Sequence, residues 1–175
     1  MSLLSRLLGG TSDRARYEPL YAKVVEIGRD PVWYREGQVP DTLNGRFDMI
    51  AAVLALVLLR LEKEDVPEVR SGSALLTELF VDDMDGSLRQ LGIGDLVVGK
   101  HMGRIMGALG GRLTVFRPAQ QDAGAMAAAV ERNVFHEAAP SPEAVALVAD
   151  RLTRLVALLQ ATPVSAVLAG EVARL

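Results

Sequence analysis

The chain has 175 residues, 19 basic against 22 acidic side chains and a net charge of −3 at pH 7. This is enough chain for one well-buried core, and the charge supplies no basic footprint for nucleic acid. Half of the residues are hydrophobic but only 5% are aromatic, and cysteine is absent. The core must therefore be assembled from Ala, Leu and Val, which favours helices over an aromatic-rich sandwich, and disulfides, thiolate chemistry and Cys-ligated metals are excluded.

The opening MSLLSRLLGG has too short an apolar run, and no cleavage pattern, for a secretory signal. Leu3, Leu4, Leu7 and Leu8 share one helical face, which suits an end packed on the domain or a short foot on a membrane surface or partner. A first helix is predicted from Glu18 to Gly28, with Pro19 in its first turn and a face of Leu20, Val24 and Ile27. Asp30-Pro31 breaks the chain, and a short aromatic segment, Val32 to Glu36, carries the single Trp. The central helix is expected from about Gly45 to Glu64. Its run MIAAVLALVLLRL is apolar all round but too short to span a bilayer, so it should be a hub enclosed by other helices.

Asp65 to Gly72 reads as a connection, followed by a helix from about Ser73 to Leu91. Gly92 is expected to cap that helix and Asp95 to start the next, which carries Met102, Ile105, Met106 and Leu109 and should end at Gly110-Gly111. Leu113 to Arg117 is ambiguous between a helical turn and an extended piece. Residues 122–135 form an Ala-rich helix, and 138–140 a linker. Ser141-Pro142-Glu143 then starts another helix and Thr162-Pro163 a last one, running to about Arg174. The expected architecture is an all-α, single-domain multi-helix bundle around a central apolar helix. In it, residues 1–16 are a terminal segment, 17–136 the main helical domain, and 137–175 a helical hairpin packed on it.

The stretch FVDDMDGSLRQLGIGD, residues 80–95, resembles a calcium loop only superficially. With Gly86 at the turn position, Val81 and Gly92 stand where two oxygen ligands are required. On a helical wheel Leu75, Leu76, Leu79, Phe80, Met84, Leu88 and Leu91 sweep one broad arc, while Glu78, Asp82, Asp85 and Arg89 gather opposite. Asp83 falls inside the apolar arc and needs a partner. Arg46 and Arg104 are the candidates for a structural ion pair that locks helices together, and Asp83→Ala is expected to cost about 3 kcal/mol. His101 and His136 lack companions for a zinc set, and no nucleophile elbow or phosphate-binding glycine pattern occurs. No catalytic, cofactor-binding or metal residues are assigned.

Five stretches together resemble the ubiquinol-cytochrome c chaperone family of respiratory complex III assembly factors. They are LYAKVVEIGRDPVWY (20–34), VPDTLNGRFDMI (39–50), LALVLLRL (54–61), DDMDGSLRQLGIGDLVVGKHM (82–102), and GGRL with ERNVF nearer the end. The resemblance covers roughly residues 17–136. Three positions depart from the family pattern: Gly86 where a basic residue is usual, Gly99 where proline is usual, and GALGGR where an aromatic normally precedes GR.

The resemblance implies a helical, non-enzymatic chaperone without cofactor that binds newly made cytochrome b or a complex III assembly intermediate. It would act in the cytoplasm, peripheral to the membrane, and mitochondrial members work with a small partner protein. The partner-facing candidates are Trp33, Tyr34, Arg46, Asp48, Asp82, Asp85, Arg89 and Lys100. Trp33 and Tyr34 suit either a core anchor or a client contact, and Met84, Met102 and Met106 either core or adaptable surface. The rival reading is a helical carrier of haem or quinone.

Overall fold

Local signals set most of the helix boundaries. The computed structural model describes residues 14–90, 98–136, 138–173 and 175, without the side chains of 88–90 and 98–102. The expected caps at Gly92 and Asp95 and the leucines of the first eight residues lie outside the described residues. Helix α1 spans Glu18–Gly28 with Pro19 in its first turn and buries Leu20, Val24 and Ile27. Its last residue must be small, because a Cβ on Gly28 would stand 2.9 Å from the Ile50 Cα.

The aromatic segment is helical rather than irregular. Asp30 accepts the Val32 N–H at 2.9 Å, and with Pro31 at the first position this is enough to start the short helix α2, Pro31–Arg35. Trp33 is fully buried there and its indole donates to the Ile27 carbonyl at 2.6 Å.

The central helix α3 spans Leu43–Leu61, capped by Thr42, whose hydroxyl accepts the Gly45 N–H at 3.1 Å. Gly45 cannot carry a side chain, since a Cβ would lie 1.9 Å from the Pro40 carbonyl oxygen. Every residue from Met49 to Leu59 is buried, each large aliphatic one contributing about 1.5–3 kcal/mol of transfer free energy. The hub expectation holds.

Helix α4, Pro67–Gln90, starts earlier than expected. Pro67 does not merely stop α3 but occupies the first position of the next helix, where its missing N–H costs nothing, so the connection is short. Helix α5, Val98–Ala119, runs straight through Gly110-Gly111 and makes the ambiguous residues 113–117 helical. Glycine costs about 1 kcal/mol per residue inside a helix, and burial of Leu109, Arg112 and Phe116 on one face outweighs it.

Helix α6, Ala123–Val130, continues as a π turn, Glu131–Phe135, that ends at His136 with φ +47°. Ser141 then starts α7, Pro142–Ala161, accepting the Ala144 N–H at 3.2 Å. Helix α8 is only Val164–Leu168, where a run to Arg174 was expected. Gly170 stops it at φ +77°, and a Cβ there would meet the Pro19 carbonyl oxygen at 2.7 Å.

Around α3 lie α1, α4, α5, α7 and the π turn, so the described residues form one all-α domain with no strand. Polar clamps fix the outer helices. Arg60 of α3 donates to the Leu159 carbonyl at 2.8 Å and the Thr162 carbonyl at 3.4 Å, filling acceptors at the end of α7 that have no helical donor. Arg151 of α7 lies 5.1 Å over the Trp33 ring and 3.3 Å from Asp30.

Candidate functional site

A charged pair inside the core is the best-built polar feature. Asp48, on the first turns of α3, is 5% exposed and Arg112, on α5, is 3% exposed. Arg112 Nη2 donates to Asp48 Oδ1 at 2.5 Å and to the Asn133 carbonyl at 2.6 Å, and Nη1 donates to the Ala108 carbonyl at 3.1 Å. The guanidinium sits 5.7 Å over the Phe47 ring, which leans on Phe80 of α4 at 5.7 Å.

His136 reaches in from the surface and places Nε2 3.0 Å from Asp48 Oδ2. Both carboxylate oxygens are thereby engaged. Left-handed backbone is uncommon for a non-glycine residue and persists only where its surroundings hold it. Here it turns the imidazole toward Asp48. Burial pushes the Asp48 carboxyl above its usual range, with Arg112 and His136 opposing, and pushes the Arg112 guanidinium below its own. A carboxylate held on both oxygens by protein donors acts as a brace between α3, α5 and the π turn, not as an acid poised for chemistry.

This brace is the one expected at Asp83, with a different acid. Among the described residues Asp83 forms no ion pair with Arg46 or Arg104. Instead it accepts the Tyr21 hydroxyl at 2.6 Å, tying α4 to α1, and is half-buried. Burial and Asp83 together push the Tyr21 phenol far above its usual range. Arg46 is exposed and pairs at 2.6 Å with Asp41 in the loop before α3. Arg104 is exposed. The helical wheel placed Asp83 correctly near the apolar arc, but a neighbouring tyrosine supplies its bond without a second charge.

The partner-facing candidates separate in the same way. Trp33 is fully buried and Asp48 nearly so, which sets the first in the core and the second in the internal ion pair. Tyr34 is half-buried and donates to the Gly28 carbonyl at 2.7 Å. Asp82 is exposed and pairs with Arg14 at 2.6 Å, and Asp85 is partly exposed. The side chains of Arg89 and Lys100 lie outside the described residues. Met84 is core and Met106 is 46% exposed.

Sequence reasoning missed Arg112, Asn133 and the role of His136. The signal was present in a diffuse form. RFD, GGR and ERNVF, three of the stretches quoted above, each contribute to the brace, although Asp48 and Arg112 are 64 positions apart.

A shallow, open depression of about 610 Å³ lies between α1 and α4, lined by Tyr21, Ala22, Val25 and Leu79 together with charged residues. Among the described residues no cluster of three His, Asp or Glu is placed to hold a metal ion, and no helix is long and apolar enough to cross a membrane.

Fold and site thus define a helical scaffold with its charge pair turned inward as a brace and a shallow open depression on its outer face. The chain belongs to the ubiquinol-cytochrome C chaperone family, whose model matches residues 35–174. Its fold is similar to the crystal structure of the Cbp3 homolog from Brucella abortus, with a TM-score of 0.82 and 28% identity over 99% of this chain and 97% of that one. No curated protein matches it. The family match runs from residue 35 through α7 and α8, so it takes in residues after 136 that the motif span left out, while the stretch 20–34 lies before it.

Proposed function

We propose that this protein is an assembly chaperone that holds newly made cytochrome b during biogenesis of the ubiquinol-cytochrome c reductase complex. The observation that carries the reading is the likeness to the Brucella abortus Cbp3 homolog over nearly the whole of both chains, together with the family match. A scaffold locked by an internal ion pair suits this task. It works without bond chemistry, favouring one state of a client by mass action, and a preformed surface spares the ordering entropy of binding. Of the candidate contacts, Tyr34, Arg46, Asp82 and Asp85 reach the surface and are the ones proposed to meet the client at the cytoplasmic face of the membrane.

Deleting the gene should lower the spectroscopic b-type cytochrome signal and abolish quinol–cytochrome c reductase activity, with both restored by the plasmid-borne gene. Wild-type levels of both in the deletion strain reject the assignment.

A further inference from the structure

Helix α5 has two halves that are held to the core in different ways. Residues 103–111 include Gly103, Gly107, Gly110 and Gly111, and only Ile105 and Leu109 among them are buried. A Cβ at any of these glycines would meet no atom of the described residues within 4 Å, so packing against those residues does not demand a glycine there. Each glycine lowers helix formation roughly two- to fivefold relative to alanine. Helix α7, of nearly equal length, contains none. The second half of α5 is anchored. Arg112 bonds to Asp48 and to the Asn133 carbonyl, Phe116 and Ala119 are buried, and Arg117 pairs with Glu62.

The halves meet at Gly110-Gly111, and there side chains join the main-chain ladder. Arg112 Nη1 donates to the Ala108 carbonyl at 3.1 Å and the Thr114 hydroxyl to the Gly110 carbonyl at 3.0 Å, each four residues back along the helix. Side chains that enter this ladder, like adjacent small residues, are recurring causes of helix bending. Both carbonyls keep a donor when the N–H groups of residues 112 and 114 withdraw, so the joint opens without stranding them.

We infer that α5 is a jointed strap, in which residues 103–111 lift from the core and unwind as one unit at Gly110-Gly111 while 115–119 stay fixed. Nine residues this rich in glycine do not hold a helix on their own, so lifting and unwinding go together. The lifted state frees Ile105 and Leu109 and the core surface that they cover. The scaffold thereby gains a second state with newly opened apolar surface, reached by the kind of local opening from which binding segments are drawn. The joint is a property of α5 itself and holds whichever client the chaperone serves.

Amide hydrogen exchange of the full chain, followed residue by residue by NMR, tests the strap. The amides of 107–111, whose helical acceptors are the carbonyls of 103–107, should share one opening constant about a hundredfold larger than that of 115–117. That constant should be nearly independent of urea, because a small opening exposes little surface. Tyr21→Phe removes a bond between α1 and α4, outside α5. It should speed exchange of 115–117 about tenfold through global unfolding and leave 107–111 unchanged. G110A/G111A should slow exchange of 107–111 roughly tenfold. One rate and one urea slope for both halves, protection that fades residue by residue with no step at the joint, equal acceleration of both halves by Tyr21→Phe, or unchanged exchange of 107–111 in G110A/G111A would each overturn the inference.

Discussion

Removing the Asp48 carboxylate isolates what the internal brace contributes. In Asp48→Ala the Arg112 guanidinium stays 3% exposed and keeps only the Asn133 and Ala108 carbonyls, while His136 loses its acceptor. Breaking one side of a buried pair costs about 3–5 kcal/mol. The two remaining carbonyl bonds put the expected loss at the low end, about 3 kcal/mol, which for a chain this long corresponds to a fall in Tm of roughly 6–12 °C. The double variant Asp48→Leu/Arg112→Met removes both charges and fills the space with apolar groups. It should lie within about 1 kcal/mol of wild type, because an apolar pair of similar volume commonly matches a buried ion pair.

Urea unfolding followed by circular dichroism at pH 7 of wild type, Asp48→Leu, Arg112→Met and the double variant yields the single, double and coupling free energies in one cycle. A single-variant loss below about 1 kcal/mol, or a double variant whose loss equals the sum of the two singles, would refute the reasoning.

The pH dependence of the same residue has a defined sign. Burial raises the folded-state pKa of Asp48 above the ordinary carboxylate value, so between the two values the folded chain keeps a proton that the unfolded chain has released. Its contribution is fully present below the unfolded pKa and is lost as pH rises through the folded one. The urea midpoint of wild type relative to Asp48→Asn should therefore fall as pH rises from about 3 to 6, and an increase would contradict it. At Asp83 the partner is the Tyr21 phenol, so Asp83→Ala and Tyr21→Phe should each cost about 1.5 kcal/mol in a thermal melt, half the value expected of an ion pair.

Gly110→Ala and Gly111→Ala should each stabilise by about 0.5–1 kcal/mol, since a Cβ at either position meets no atom within 4 Å in the middle of a helix. Gly45→Ala should instead cost about 2 kcal/mol or more, because the new methyl would strike the Pro40 carbonyl. Differential scanning calorimetry on the three proteins distinguishes these signs.

Periodicity and capping carried the fold a long way. Pro19 and the Ser141-Pro142-Glu143 start marked two helix beginnings, the start expected at Gly45 falls two residues inside α3, and the apolar girth of 49–59 identified the hub. These signals are local, so the sequence displays them. Gly110-Gly111 misled because a terminator signal of about 1 kcal/mol per glycine competes with burial that becomes visible only once α5 lies on α3. The brace was hidden for the same reason. Asp48 stood among the partner-facing candidates, Arg112 lies just before the ambiguous segment and drew no role, and His136 lacked companions for a metal set. Which acid is locked depends on what the fold brings beside it, and a helical wheel of one segment does not contain that information.

The seating of α3 also governs the order in which the chain becomes safe during synthesis. Its thirteen-residue greasy run, 49–61, emerges early, whereas Arg60 finds its acceptors on α7 only 99 and 102 positions later. At ordinary translation speeds of about 5–20 residues per second, the face of α3 that α7 covers stays open for several seconds, whereas the faces toward α1, α4 and α5 can be covered sooner. Arrival of the last long helix thus closes the final side of the hub.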